Sequence, residues 1–355
     1  MFEKGLQLIG FAVAGIIVSL IINVLLLRFS KSLGIRNNND VIVRWSNQSK
    51  PSLGGVSFFV VFLFSAIGFS IVFSDENIFH NFQYVGLLTA GSLAFLMGMA
   101  DDAYNTKPLI KLLAQITCGL LFAYSGVVIE ITSIFWVNAA LTVIWVITIM
   151  NSLNMLDNMD GITGTTVVFI LIACLLSSFI IFDFNRNIWS ILMISQIGAI
   201  MGFLKYNINP SKLFMGDAGS QFIGLFVSFF SIKYLWNIGA LTSNPPWVGM
   251  IICLITFTPA AADSLTVTIN RLRKGQSPMV GGKDHTTHHL VYSGLSDRQV
   301  WYIFLMISFF STLFGVYLVH LSEMGIVLPL IFFLLYFIVI FILLYRVTIK
   351  YRPPS

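Results

Sequence analysis

The chain has 355 residues, of which 57% are hydrophobic and only 10% are charged, and its formal net charge is +5. A soluble domain carries about 25% charged residues, so this composition excludes an ordinary globular protein. A mean hydropathy of +0.88 is typical of a chain that crosses a membrane many times. The basic residues lie in short segments between apolar runs, which indicates contact with anionic lipid rather than with nucleic acid.

Eleven apolar runs approach or exceed the roughly 20 residues that a membrane-spanning helix needs. In chain order they cover 6–27, 52–73, 83–100, 108–125, 134–152, 162–182, 188–204, 218–237, 247–270, 299–320 and 326–346. With the N-terminus outside, seventeen of the twenty Lys and Arg residues fall on the inner side, as basic residues do in membrane proteins. We therefore predict an all-α polytopic membrane protein, a single integral domain over 1–355, with a cytoplasmic C-terminus and its chemistry in cytoplasmic loops.

The ninth run is distinguished by Pro259 and by an acidic residue, Asp263, inside it. If the helix continues to Lys274, it is about 40 Å long, so we expect it to tilt, to kink at the proline or to protrude into the cytoplasm. A carboxylate inside a span is costly unless it is paired or hydrated. We therefore expect a polar neighbour for Asp263.

Carboxylate and carboxamide side chains follow two runs on the predicted cytoplasmic side. Asp101 and Asp102 end the third run, where adjacent carboxylates oppose the helix dipole unless a cation is present. The fifth run ends in a polar segment whose members share one face if the helix continues: Asn151, Asn154, Asp157, Asn158 and Gly161. Such oxygen donors are those that a hard cation such as Mg²⁺ selects.

Two further elements reach the same predicted face. Asp217 opens the eighth run, either as its N-cap or as a third carboxylate able to bind metal. Lys50 precedes Gly54 and Gly55 at the start of the second run, where an ammonium and backbone amides suit an anion. Taken alone, two adjacent glycines more often indicate simple close packing.

The loop 271–298 combines basic residues with three of the five histidines of the chain, His285, His288 and His289. A closed zinc site would need four ligands, and no second His or Cys cluster supplies the rest. Phosphate binding therefore fits this loop better.

Together, these motifs resemble the polyprenyl-phosphate N-acetylhexosamine-1-phosphate transferase family. The matching parts are 51–55, Asp101-Asp102 with Asn105 and Lys111, the segment 151–161, Phe214 to Asp217 and the histidines at 285–289. They extend over about residues 45–300, which we expect to form the catalytic core.

The resemblance implies an enzyme of ten or eleven helices in the inner (plasma) membrane. Its activity would be the Mg²⁺-dependent transfer of a phospho-N-acetylhexosamine from a UDP-sugar to undecaprenyl phosphate, with release of UMP, at the start of a cell-envelope glycan; Mn²⁺ is the alternative ion. The resemblance assigns the metal to Asn154 and Asp217, the uracil to Phe214 and the nucleoside to Asp160. It assigns the phosphates to Lys111 and the histidine loop.

The expected catalytic residues are Asp101, Asp102, Asp157, Asp217 and His289. The expected substrate-binding residues are Lys50, Gly54, Asn105, Lys111, Asn151, Asp160, Phe214, Asp284, His285 and His288. The oligomeric state is left open, with a homodimer as one option.

The histidine pattern distinguishes two branches of the family. One branch carries three consecutive histidines and transfers phospho-MurNAc-pentapeptide, whereas the other usually reads His-x-His-His and uses UDP-GlcNAc. This chain has two residues between His285 and His288, which favours the second branch. In a helix, His285 and His289 share one face and His288 turns away, while alignment from the right-hand end pairs His288 with His289. His289 belongs to both pairings and is the predicted essential histidine.

Two alternative functions remain at this stage. An ion-coupled secondary transporter would suit Asp263 and a broken ninth helix, although the charged residues crowd one face and no inverted repeat is evident. Within the family, a phospho-MurNAc-pentapeptide transferase is the second alternative.

Overall fold

The structure is a computed structural model that describes residues 2–29, 50–73, 77–182, 187–277 and 282–351. Residues 45–49 of the predicted catalytic core and 278–281 of the histidine loop lie outside these ranges. The described chain is built of helices. Their bounds are α1 Phe2–Phe29, α2 Gly54–Val72, α3 Phe82–Tyr104, α4 Pro108–Tyr124, α5 Phe135–Leu156, α6 Ile162–Phe182, α7 Ile188–Asn207, α8 Gly216–Ser231, α9 Ile238–Leu241, α10 Trp247–Thr256, α11 Thr258–Arg273, α12 Thr286–Tyr292, α13 Asp297–Glu323 and α14 Leu334–Lys350.

Every predicted apolar run forms helix in the described part of the chain. Within those residues, nine helices are long and apolar enough to cross a membrane, and α10 with α11 would make a tenth if this bent pair forms one span. The remaining run forms α4, which has only 17 residues. The chain is thus a multi-pass helical membrane protein, while its orientation in the membrane stays a prediction.

The ninth run breaks, which confirms the expected kink. The axes of α10 and α11 differ by 84°, and Pro259 lies in the first turn of α11, where a missing N–H costs no helical hydrogen bond. The Thr258 hydroxyl lies 2.8 Å from the Ile255 carbonyl oxygen and 3.1 Å from that of Leu254. Its single hydrogen can therefore be donated to one of these two carbonyl groups at the break.

Helix α8 lies at the centre of the bundle, and all its residues from 218 to 231 are buried. It approaches α2 and α3 closely. A Cβ on Gly55 would lie 2.1 Å from the Gly219 Cα atom, and one on Gly98 would lie 2.4 Å from the Asp217 carbonyl oxygen. Only glycine therefore fits at these two contacts, which fix the start of α8 against its neighbours.

Four helices enclose the region where the predicted site residues meet. Around this group, α3 packs on α4, α4 on α5, α5 on α8 and α8 on α3. The C-terminal ends of α3 and α5 and the N-terminal ends of α4 and α8 come together at one end of the bundle, as the contacts between their side chains show. The charged ends of the apolar runs therefore converge.

Candidate active site

A cavity of about 1100 Å³ lies at this end of the bundle. Most of the residues that the motifs singled out line it: Lys50, Asp101, Asp102, Asn105, Lys111, Asn151, Asn154, Asp157, Asp160, Phe214, Asp217, His285 and His288. Gly54, Asp284 and His289 are the predicted site residues that do not line it.

Lys111 is at the centre of the charged cluster. Its Nζ atom lies 2.7 Å from Asp101 Oδ2 and 3.1 Å from Asp217 Oδ1. Asp101 also accepts hydrogen bonds from the Thr106 backbone N–H at 2.9 Å and hydroxyl at 2.6 Å, and Asn154 Nδ2 donates to Asp217 Oδ1 at 2.5 Å. These charge-assisted bonds hold one ammonium group between two carboxylates from separate helices.

Asp102 has a different environment from Asp101. Its two carboxylate oxygens accept hydrogen bonds from the backbone N–H groups of Asp217, at 3.0 Å, and Ala218, at 2.9 Å. These amides belong to the first turn of α8, whose N–H groups have no helical partners, and a carboxylate there is also favoured by the helix dipole. Adjacent residues point about 100° apart around a helix, so Asp102 fixes the start of α8 while Asp101 binds Lys111.

A second group of contacts surrounds Phe214. Lys50 Nζ lies 5.2 Å from the centroid of the Phe214 ring and donates to the Ser211 hydroxyl at 3.0 Å. Ser211 in turn donates to Asp160 from its hydroxyl, at 2.7 Å, and from its N–H, at 3.2 Å. The structure thus places an aromatic ring beside a cation, and Ser211 connects that cation to a carboxylate. No sequence pattern marks Ser211.

The expectation that the amides of Gly54 and Gly55 bind an anion is wrong. The Gly54 N–H donates to the Phe214 carbonyl at 3.0 Å, and the Gly55 N–H donates to the Met215 carbonyl at 2.9 Å. The Phe214 N–H completes the pairing by donating to the Pro51 carbonyl at 2.9 Å. These amides are therefore occupied, and their segment holds Phe214 in place instead of meeting a substrate.

The predicted polar face at the end of α5 is interrupted. The helix ends at Leu156, and the left-handed backbone of Gly161, with φ of +79°, turns the chain away. Asn151 and Asn154 therefore share a helical face, whereas Asp157 lines the cavity from the residue that ends the helix. Asn105 likewise lines the cavity from the end of α3, in a left-handed conformation with φ of 51°.

The histidines pair differently from the helical expectation. Helix α12 begins only at Thr286, so His285 precedes it and the four-residue spacing to His289 does not place both rings on one face. Instead, the rings of His285 and His288 lie 5.5 Å apart, edge to face, and both line the cavity. His289 contacts the Tyr351 carbonyl oxygen through Nδ1, outside the cavity.

Asp263 has the polar neighbours that its burial requires. One carboxylate oxygen lies 2.9 Å from His285 Nδ1. The other accepts hydrogen bonds from the Thr286 N–H at 2.9 Å and hydroxyl at 2.6 Å. Because Nδ1 contacts a carboxylate that is fully buried, the orientation of the His285 ring is fixed. A hydrogen bond to a carboxylate commonly orients a functional histidine in this way.

Two features of the histidine loop are an ion pair between Arg271 and Asp284 and a histidine that carries no charge, His288. Arg271 donates two hydrogen bonds to Asp284, at 2.8 and 2.7 Å. Burial alone would raise the pKa of Asp284, but the bonds and charge of Arg271 hold that pKa below its usual value. Burial and, next, the charge of His285 lower the pKa of His288 to about 3. Asp284 therefore forms an ion pair with Arg271 and does not line the cavity. His288 is neutral at pH 7.

Comparison with known proteins identifies one matching family model and several relatives. The model of glycosyl transferase family 4 matches residues 84–235. A probable undecaprenyl-phosphate N-acetylglucosaminyl 1-phosphate transferase of Bacillus subtilis is 24% identical over 270 residues, which cover 73% of this chain and 70% of the relative. A decaprenyl-phosphate N-acetylglucosaminephosphotransferase of Mycolicibacterium smegmatis is 24% identical over 311 residues, 78% of this chain and 73% of the relative.

A phospho-N-acetylmuramoyl-pentapeptide-transferase of Streptococcus agalactiae serotype III is also similar, with 28% identity over 245 residues, 62% of this chain and 71% of the relative. The segment that the family model matches contains α4, α5, α8 and all but the first two residues of α3. It includes Asp101, Lys111, Asn154 and Asp217. Over residues 84–235 the chain is therefore similar to glycosyl transferase family 4.

Proposed function

We propose that this protein transfers a phospho-N-acetylhexosamine, with GlcNAc-1-phosphate as the first choice, from a UDP-sugar to a polyprenyl phosphate such as undecaprenyl phosphate. UMP is released, and the lipid-linked sugar starts a cell-envelope glycan. Two relatives support this proposal, because their names combine a polyprenyl phosphate with the transfer of N-acetylglucosamine phosphate. The distribution of basic residues supports an inner-membrane location with the site facing the cytoplasm.

The observation that carries the proposal is the mixed lining of the cavity. Lys111, held by Asp101 and Asp217, is part of its charged lining. The bent pair α10–α11 contributes apolar lining residues, namely Cys253, Leu254, Phe257, Ala260 and Leu265. Such a cavity suits a reaction in which a diphosphate meets the head of an apolar lipid, since it offers both charged and apolar side chains.

The reaction needs little covalent chemistry from the protein. An oxygen of the lipid phosphate attacks the β-phosphorus of the UDP-sugar, the bond from that phosphorus to the UMP oxygen breaks, and UMP leaves. A phosphate monoester has a second pKa near ~6, so the nucleophile is largely ionised at pH 7 and a general base is optional. The protein therefore acts through positioning and charge, with Lys111 beside the diphosphate and Asp101 holding Lys111.

Asp217 and Asn154 fit the proposed Mg²⁺ in their chemistry. They are neighbouring oxygen-bearing side chains of the kind that Mg²⁺ prefers. Within the described residues, no group of three or more His, Cys, Asp or Glu side chains forms a metal site, so the diphosphate and water would complete the ligand set. Asn154 directs its nitrogen at Asp217, so ligation requires its oxygen to turn toward the ion. When bound, Mg²⁺ would offset the charge of the diphosphate.

The choice of sugar nucleotide tests the proposal. With undecaprenyl phosphate and Mg²⁺, the purified protein is expected to release UMP from UDP-GlcNAc or a close UDP-N-acetylhexosamine, and not from UDP-MurNAc-pentapeptide, because three consecutive histidines are absent. UMP would be quantified by chromatography, with reactions lacking the lipid phosphate as the control. Turnover of the pentapeptide substrate alone would overturn this assignment in favour of the branch that transfers phospho-MurNAc-pentapeptide.

The structure changes the histidine expected to matter most. The sequence predicts His289, but His288 lines the cavity and His289 contacts a backbone carbonyl outside it. We expect His288→Ala to lower kcat by about 10- to 100-fold, because a neutral hydrogen-bond donor or acceptor is lost from the cavity, while His289→Ala keeps most of the activity.

UMP release would be measured for both variants beside their thermal midpoints, since the two histidines are both buried. An inactive His289→Ala variant together with an active His288→Ala variant would reinstate the sequence-based assignment.

A further inference from the structure

Three carboxamide side chains form a cluster directly beneath the charged site. Asn151 Nδ2 donates to Gln115 Oε1 at 2.8 Å, and Gln115 Nε2 donates to Asn151 Oδ1 at 3.3 Å and to Gln221 Oε1 at 3.0 Å. Gln115 and Gln221 are each only 1% exposed. We call Gln115, Asn151 and Gln221 the amide layer.

Each member of the amide layer lies one helical turn from a residue of the charged site. Gln115 follows Lys111 by four residues on α4, Gln221 follows Asp217 by four residues on α8, and Asn151 precedes Asn154 by three residues on α5. Residues three or four apart share a helical face. Because α4 and α8 run away from the site and α5 runs toward it, all three carboxamides fall on the same side of the charged residues, about 5 Å deeper in the bundle.

We propose that the amide layer is a positioning element that sets the relative depth of α4, α5 and α8 and so holds Lys111, Asn154 and Asp217 at their contact distances. This proposal rests on the proposed function, because it concerns the geometry of the same site. Gln115 and Asn151 also line the cavity, and the proposal gives their carboxamides the role of joining the helices instead of contacting a reacting atom.

The hydrogen bonds favour positioning over ligand binding. Both N–H groups of Gln115 have acceptors within the layer, and Asn151 Nδ2 also donates to the Ile147 carbonyl at 2.8 Å. These donors are therefore occupied. Gln221 Nε2 makes no hydrogen bond within the described residues, so Gln221 serves the layer through its oxygen.

The cost of burying polar groups explains why the amide layer favours one relative placement of α4, α5 and α8. A carboxamide in a membrane interior is destabilising unless its partners are present. Sliding any one of the three helices by a turn would move its carboxamide about 5 Å and leave the partners unpaired. The bonds therefore exist in one relative placement of the helices, and it is the placement in which Lys111 lies between Asp101 and Asp217.

The test compares Gln115→Leu, Gln221→Leu and the double variant with Gln196→Leu. Gln196 is a matched control, because it is also fully buried and donates one interhelical hydrogen bond, to the Phe58 carbonyl at 2.8 Å, but it does not line the cavity. UMP release from UDP-GlcNAc would give kcat and KM, and thermal midpoints would be measured for every variant. Gln115→Asn, which keeps the carboxamide but shortens it, serves if Gln115→Leu does not fold.

The expected result is a kcat of Gln115→Leu lower than that of the wild type by about 10- to 100-fold, the range for residues that orient a functional side chain, with KM for UDP-GlcNAc nearly unchanged. The thermal midpoint should fall no further than in Gln196→Leu. Because the layer acts as a unit, the double variant should be no slower than the slower single variant.

Equal kcat values for Gln115→Leu and Gln196→Leu, or single losses that multiply in the double variant, would overturn the amide layer and leave the proposed function intact. A wild-type protein that releases no UMP would reject the proposed function and, with it, this inference.

Discussion

The Asp217→Asn variant is expected to have no measurable turnover, a loss of at least about 10³-fold, while remaining folded. Asparagine keeps the shape of the side chain but removes its negative charge. In the wild type, Asp217 Oδ1 lies 3.1 Å from Lys111 Nζ and accepts a hydrogen bond from Asn154 Nδ2 at 2.5 Å. The same change replaces one of the two proposed metal ligands, a carboxylate, by a neutral carboxamide. Because the missing negative charge is not supplied by Mg²⁺, raising Mg²⁺ should not restore the rate.

UMP release at limiting and saturating Mg²⁺ measures this effect, and the thermal midpoint verifies folding. Glu323→Gln is the matched control, because it removes one carboxylate charge at an exposed position at the C-terminal end of α13. A rate for Asp217→Asn near that of the wild type at limiting Mg²⁺ would rule out Asp217 as a metal ligand.

Replacement of Lys111 by methionine is expected to lower kcat/KM by about 10²-fold or more. The ammonium group lies between Asp101 and Asp217, so its loss leaves two neighbouring carboxylates without their shared counter-charge. It also removes the cation that the proposal places beside the diphosphate. Lys111→Arg keeps the charge with a different shape and should retain more activity than Lys111→Met.

Lys107→Met is the control for this change, since Lys107 is an exposed lysine one turn earlier, at the start of the same helix. Its kcat/KM should stay close to that of the wild type. If Lys111→Met and Lys107→Met were equally active with a sugar nucleotide, Lys111 would have no part in holding the diphosphate.

The positions of the helices and the meeting of the charged clusters were predictable because both follow from solvation. Apolar runs of sufficient length must cross the membrane, and the carboxylates at Asp101 and Asp217 lie where such runs meet water. The kink at Pro259 was likewise predictable, since proline cannot continue the hydrogen-bond pattern of a helix. The run 108–125 also forms a helix with nearly the predicted bounds, but at 17 residues α4 is shorter than a typical span, and Lys111 near its start serves the site.

The details that were not predictable depend on where individual side chains point. Sequence spacing cannot show that α12 starts after His285, and therefore that His288 rather than His289 lies in the cavity. It also cannot show that Asp102 caps α8 or that the Gly54 amide is occupied by the Phe214 carbonyl, because those partners are distant in the chain.

One signal was available in the sequence and remained unused. Gln115 and Gln221 are polar residues inside apolar runs, each four residues after a charged site residue. Polar side chains at such positions are costly in a membrane, and the shared spacing indicates that they extend the site along the same helical faces.

The nucleotide product tests the central claim most directly, because transfer of a phospho-sugar releases UMP whereas transfer of the sugar alone releases UDP. The measurement uses UDP-GlcNAc labelled at the β-phosphorus, purified protein and undecaprenyl phosphate with Mg²⁺. We predict that UMP accumulates in equal amount with label in the organic phase, and that Asp217→Asn forms neither product. Release of UDP, or UMP formation with all label left in the aqueous phase, would contradict the proposed transfer.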